Sequence, residues 1–167
     1  EQYPSSFTTP ESIELQQILA LAIAKNIRSI SMEVSSHALD QYRVQGINFA
    51  YAGFSNLTQD HLDFHHDMES YFLAKAKLFT SEYSEQSFIN IDDPYGRRLV
   101  ELAQNHIHTL SRFNRDAEWH YENVDETYGG FLVAIRGENG ILIESEFPMI
   151  GDHNLDNLLM AVAIAVT

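Results

Sequence analysis

The sequence predicts an α/β fold: a mostly parallel sheet flanked by helices, with a small antiparallel meander beside it. Two observations carry that prediction. Through residues 1–115, short apolar runs of strand length alternate with stretches of helical period, the pattern of a parallel sheet with crossover helices. After Arg115, short strand-like runs follow one another through glycine-containing turns at Gly129–Gly130 and Gly137–Gly140, the pattern of a meander. Residues 1–115 are therefore read as the parallel part, 116–150 as the meander and 151–167 as a closing helix, all within one domain.

The elements follow in order. Thr9 is suited to cap a helix, with Pro10 as its first residue and Glu11 at its positive end. Ile13, Ile18, Leu19, Ala22 and Ile23 supply its apolar face, to about Lys25. Arg28–Ser35 reads as the first strand, Phe49–Leu57 as the second and Phe88–Ile91 as the third, with His108–Phe113 a fourth. Met68–Glu82 carries Tyr71, Phe72, Ala74, Leu78 and Phe79 in helical register, and Tyr95–Asn105 fills the next gap. Trp119–Glu122, Phe131–Arg136 and Ile141–Phe147 form the meander, and Asp152–Thr167 reads as an almost wholly apolar, hence buried, helix.

Composition narrows the partners. The 167 residues carry a net charge of −14, with 24 acidic against 10 basic side chains. Nucleic acid and anionic membranes both require basic surface, so neither is expected. A phosphate-bearing ligand would need a local cation or a metal. Cysteine is absent, which removes disulfide and thiolate chemistry and permits a cytoplasmic location. The longest apolar run, Leu158–Val166, is shorter than the roughly 20 residues that span a bilayer. The first residues lack the basic and apolar regions of a signal peptide. Their loop-like character and the missing initiator methionine lead us to expect the true amino terminus elsewhere.

Ligands of open parallel sheets bind beyond the carboxyl ends of the strands. The polar residues closing the predicted strands are Glu33, Ser35 and Ser36; Asn56 and Thr58; and Asn90, Asp92 and Asp93. Capping explains most of them, and it is the reading preferred for Asn90, Asp92 and Asp93. Glu33 stands apart as an acid in an otherwise small and apolar run, where burial would demand a cation or a metal. Asp60–Asp67 (DHLDFHHD) places His61 and His65 four apart, but Leu62 stands where a zinc protease needs Glu. A hard-cation site shared with Glu33 and a solvated helix start both remain open there. Lys75 lies in an apolar helix, where a lysine ordinarily snorkels, as Lys77 is expected to. There is no phosphate-binding G-x-x-x-x-G-K-[ST] or G-x-G-x-x-G loop, and no Ser-His-Asp arrangement with a nucleophile elbow.

In order along the chain stand Thr8-Thr9-Pro10-Glu11, Glu33-Val34-Ser35-Ser36-His37-Ala38-Leu39, Arg43-Val44, Asn56-Leu57-Thr58-x-Asp60-His61-Leu62-Asp63, Tyr71-x-x-Ala74-Lys75, Asn90-x-Asp92-Asp93 and Gly151-x-His153-Asn154-x-x-Asn157. This series resembles the central, P-loop-NTPase-like domain of the Mur ligases over essentially the whole chain. The EVSSHAL and TTP forms point to the members that add the third residue to a UDP-muramyl dipeptide.

The resemblance implies an ATP-dependent amide ligase of peptidoglycan synthesis, and so of cell-wall biogenesis, cell shape and division. Such an enzyme phosphorylates the carboxylate of the growing peptide, and an amine then attacks the acyl phosphate. It implies that Glu33 and His61 ligate Mg2+, and that Lys75 is carbamylated and supports a further magnesium site. Thr8, Thr9, Ser35, Gln41 and Arg43 then match substrate-binding positions, with Arg43 as the local cation. Asn154 and Asn157 match positions that touch the nucleotide.

Phe7 departs from the asparagine of many relatives. The Gly-Lys-Thr phosphate loop, the substrate-binding amino-terminal domain and the amino-acid-selecting carboxy-terminal domain are not in this sequence, so the isolated chain is expected to be inactive. Other readings are a non-catalytic binding remnant and a folylpolyglutamate- or cyanophycin-synthetase-type ligase.

Overall fold

The computed structural model describes residues 7–59 and 62–167. Among them, one six-stranded sheet runs in the order β1 to β6. β1 (Phe49–Phe54), β2 (Ser84–Asn90), β3 (His106–Ser111) and β4 (Trp119–Thr127) are parallel neighbours. β5 (Gly130–Arg136) and β6 (Leu142–Phe147) then add antiparallel, so the meander continues the main sheet through β4.

Helices α1 (Ser12–Ala24), α2 (Ser36–Asp40), α3 (Leu62–His65), α4 (Met68–Ala76), α5 (Pro94–Leu102) and α6 (Asp152–Val166) complete the fold, with a 3-10 turn at Lys77–Phe79. The predicted class is thus observed. No helix among the described residues is long and apolar enough to cross a membrane.

Three apolar clusters hold the layers. Phe88, Leu110, Trp119, Val133 and Ile135 of the sheet pack with Leu155, Leu159 and Ala163 of α6. Ala52, Phe54 and Ile89 pack with Tyr71, Phe72 and Phe79 on the α4 side. Leu15, Leu39, Val44 and Tyr83 join α1 and α2 to the rest. Burying side chains of this size stabilises by about 1.5–3 kcal/mol each before ordering costs are subtracted.

Local chemistry sets several ends. Asp67 caps α4 by accepting the Ser70 N–H at 2.7 Å. Asp93 caps α5 through Tyr95 and Gly96, with Pro94 at the first helical position. Asp92 accepts Ser111 Oγ–H and the Arg112 N–H, and Asn90 accepts the Asp92 N–H. These three residues close β2 and start α5, as expected. Gly96 lets α5 approach β2 closely, since a Cβ there would stand 1.9 Å from the Asn90 carbonyl oxygen.

The structure corrects several sequence-based expectations. Arg28–Ser35 forms no strand and pairs with none, because a cavity separates it from the free edge of β1. A ladder needs a neighbour about 4.8 Å away, and period alone cannot supply one. Thr9 does not cap α1; Glu11 occupies that place without a side-chain bond, because the Thr9 hydroxyl is engaged elsewhere. On α1 the buried residues are Leu15 and Ala22, whereas Ile13 and Ile23 are 76% exposed. The helix from Met68 gives way to the 3-10 turn after Ala76. Helix α6 is buried on one face only, at Leu155, Leu159 and Ala163, because it lies on a single side of the sheet.

Candidate active site

A cavity of about 1010 Å³ opens between segment 28–34 and β1. Glu33, Asn56 and Lys75 all line it, with Leu78 and Phe79 on the α4 side and Ile164 and Ala165 from α6. Glu33 is exposed there, not buried as its apolar context predicts. Met32 and Val34 on either side of it pack against the Leu15–Leu39–Val44 cluster, which leaves the intervening carboxylate open to solvent. No Lys or Arg among the described residues forms an ion pair with it. Lys75 is half-buried, with Nζ 5.7 Å from the centre of the Tyr71 ring. Asp60 and His61 lie outside the described residues.

Behind Glu33 a hydrogen-bond network, a knot of side chains, ties three segments together. Fully buried Thr9 donates its hydroxyl proton to the Glu33 carbonyl oxygen at 2.9 Å and accepts the Ser35 N–H at 3.0 Å. Ser35 in turn caps α2, its Oγ accepting the Ala38 N–H at 3.2 Å. Arg43 closes the knot from the far end of α2. Its Nη1 donates to the Thr9 carbonyl oxygen at 3.1 Å and its Nε to Gln41 Oε1 at 3.0 Å. Its Nη2 meets Glu11 at 3.0 Å, and the guanidinium lies 4.5 Å from the Phe7 ring centre. Arg43 is only 8% exposed, so it braces this knot internally, while Thr8 and Gln41 stand at the surface. Phe7, the departure in the sequence, contributes a ring face to Arg43.

Asn154 and Asn157 lie apart from the cavity lining, on the first turns of α6. Asn154 Nδ2 donates to the Ile150 carbonyl oxygen at 2.8 Å, and Asn157 is exposed. Arg112 ties this end of α6 to the end of β3 through Asp152 at 3.1 Å and Asp156 at 3.5 Å. Burial raises the Asp156 carboxyl above its ordinary value, against the pull of Arg112. On α4, Glu69 holds Arg98 of α5 through bonds of 2.8 and 2.9 Å, and that guanidinium depresses the Glu69 carboxyl.

The structure also assembles residues that sequence reasoning left apart. Ser36 Oγ lies 2.7 Å from His65 Nε2, and His65 Nδ1 faces Asp40 at 3.6 Å. A Ser-His-Asp set is thus present, though not on a nucleophile elbow. The lone signal in the sequence was a histidine in a polar run, and its partners are remote in the chain. A second convergence, His108, Glu118 and Glu138, has its ligand-type atoms within 4.8 Å of one another. Both nitrogens of His108 are already held, by Glu118 at 3.1 Å and Gln86 at 2.9 Å, which accounts for the burial of this imidazole.

The Mur ligase middle domain model matches residues 2–165. The chain belongs to the Mur ligase family. It is 42% identical, over 96% of its length, to the UDP-N-acetylmuramoyl-L-alanyl-D-glutamate--2,6-diaminopimelate ligase of Thermosynechococcus vestitus. It is 37% identical, over 97% of its length, to the UDP-N-acetylmuramyl-tripeptide synthetase of Leifsonia xyli. It covers 32% of each of these relatives, so it spans about a third of their length.

A solved UDP-N-acetylmuramoyl-L-alanyl-D-glutamate--2,6-diaminopimelate ligase superposes with a TM-score of 0.84 at 31% identity, covering 93% of this chain and 32% of that one. MurF from Acinetobacter baumannii shares the fold at a TM-score of 0.59 and 18% identity, over 70% of this chain and 25% of that one. Within the Mur ligase frame, the cavity and the Thr9–Ser35–Arg43 knot are adjoining features of the middle domain.

Proposed function

We propose that this chain is one wall of the active site of an ATP-dependent amide ligase that adds the third amino acid to UDP-MurNAc-L-Ala-D-Glu in peptidoglycan synthesis. The observation that carries this reading is that Glu33 and Lys75, distant in sequence, line one cavity directly beside the Thr9–Ser35–Arg43 knot. The names of the relatives supply the substrate class.

In this reading the γ-phosphoryl group of ATP passes to the terminal carboxylate of the dipeptide. The incoming amine attacks the acyl phosphate, the new amide forms and inorganic phosphate leaves. Glu33 offers a hard carboxylate oxygen to the cavity, a donor that suits Mg2+. Mg2+ held by Glu33 and His61 would neutralise phosphoryl charge when bound. Lys75, as a carbamate, would offer two further oxygens from the helix wall. Thr8, Ser35 and Gln41 would touch the UDP-muramyl dipeptide, while buried Thr9 and Arg43 hold Ser35 and Gln41 in place from behind. Asn154 and Asn157 face the nucleotide.

The phosphate loop, the substrate-binding domain and the amino-acid selector belong to other parts of the protein, which acts in the cytoplasm. The isolated chain turns over no ATP. The test is ADP release by the full-length protein: it should require both UDP-muramyl dipeptide and an amino acid. Release with a folate or a cyanophycin primer in place of the dipeptide, or none with any acceptor, overturns the reading.

A further inference from the structure

The set formed by Ser36, His65 and Asp40 has no part in the chemistry described so far. The same residue types carry nucleophilic catalysis when serine is presented to an acyl group. Here Ser36 is 1% exposed and lies within α2, so no acyl donor reaches it.

Its connections indicate another use. Ser36 adjoins Ser35 and lies on the same short stretch as Glu33. His65, 4% exposed, ends α3 and stacks on Tyr71 of α4, with ring centres 5.2 Å apart and planes 22° apart. Tyr71 is one helical turn before Lys75, whose Nζ lies over its ring. Asp40, facing His65 Nδ1, also binds Lys77 just beyond α4. A neighbouring carboxylate favours the proton on Nδ1, leaving Nε2 to accept the Ser36 hydroxyl proton.

We infer that Ser36, His65 and Asp40 form a positioning clamp that sets Glu33 and Ser35 against the Lys75 helix. The two walls of the cavity come from segments remote in sequence, and no strand pairing joins segment 28–34 to the sheet. Side-chain bonds between α2 and α3–α4 therefore add directional registration to the apolar packing of Met32 and Val34 on the Leu39–Val44 cluster. A buried hydrogen bond such as Ser36–His65 suits this task, because breaking one away from water costs more than breaking one at the surface. Asp40, shared between His65 and Lys77, fixes the imidazole plane from the other side. The role in turnover rests on the proposed ligase reading; the mechanical linkage does not.

The test uses the full-length protein with His65→Leu, His65→Gln, Ser36→Ala and the Ser36→Ala/His65→Leu double variant. Glutamine retains a polar group near the Nε2 position, whereas leucine only fills space. We expect His65→Leu and Ser36→Ala to lower kcat about ten- to a hundredfold, the usual range for residues that orient ligating groups. The KM for ATP stays unchanged, His65→Gln restores most of the rate, and the double variant is no worse than the poorer single one.

Hydrogen exchange gives a second readout that needs no turnover: exchange should rise together in residues 33–40 and 68–76 in His65→Leu. Equal rates for the leucine and glutamine variants, or multiplying losses in the double variant, overturn the clamp. If the wild type ligates nothing, the ligase reading fails and exchange alone decides. A joint rise then supports the clamp, and a rise confined to 65–76 overturns it. Should His65→Leu not fold, Ser36→Ala and His65→Gln carry both measurements.

Discussion

Arg43 Nη1 donates to the carbonyl oxygen of Thr9 at 3.1 Å across 34 positions of sequence. The same guanidinium engages Gln41, Glu11 and the face of Phe7. Lysine retains the charge but lacks the planar fork. Arg43→Lys should therefore cost about 1–3 kcal/mol, the price of leaving buried partners unmet. The urea midpoint should fall with the slope unchanged, and an unmoved midpoint would refute the brace.

The hydroxyl of Thr9 joins Glu33 to Ser35. Thr9→Val preserves its shape and removes that junction. In the full-length enzyme we expect KM for the UDP-muramyl dipeptide to rise, with a loss of stability of about 1 kcal/mol. An unchanged KM would separate the knot from substrate binding.

Lys75→Ala in the full-length protein should greatly reduce ligation, with partial rescue by bicarbonate plus a small carboxylic acid. Full activity in the variant would sink the carbamate assignment.

The Tyr121 hydroxyl donates to the Leu155 carbonyl oxygen at 2.8 Å, joining β4 to α6, and burial pushes its pKa above the ordinary phenol value. Tyr121→Phe should cost about 0.5–1.5 kcal/mol, and so lower Tm by a few degrees, roughly 2–4 °C per kcal/mol at this size. A Tm equal to the wild type would show that this bond contributes nothing net.

Two carboxylates should act on stability with opposite signs. The Ser70 N–H holds the Asp67 carboxyl below its ordinary value. Its contribution is present above the unfolded pKa and is lost as pH falls through the folded one. Burial holds Asp156 above its ordinary value, so its contribution is present at low pH and is lost as pH rises through the folded pKa. Asp67→Ala should flatten the acid limb of a stability–pH curve, and Asp156→Asn the limb just above it. Curves parallel to the wild type would contradict both assignments.

Much of the architecture was legible because it depends on short-range pattern. Alternating apolar runs marked β1, β2, β3 and the meander, although β2 begins four residues before the apolar stretch that signalled it, at polar Ser84. That start is set by pairing with β1, where Ser84 lies opposite Phe49. Asp93 announced α5 correctly because a cap is made within a few residues, although the helix begins at Pro94, one residue before the predicted start. Thr9 misled for the converse reason: a hydroxyl beside a helix start fits a cap, yet its bonds run to Glu33 and Ser35.

By itself, the sequence determined the α/β class, the cap of α5 and the Mur ligase kinship, since ordered motifs and local periodicity are properties of the chain as written. Only the tertiary structure decided that segment 28–34 is unpaired, that Glu33 is exposed and that Arg43 is a buried brace. It alone brought Ser36, Asp40 and His65 together. Each of these depends on which remote surface lies within a few ångströms, and hydrogen bonds and ion pairs act only over that range.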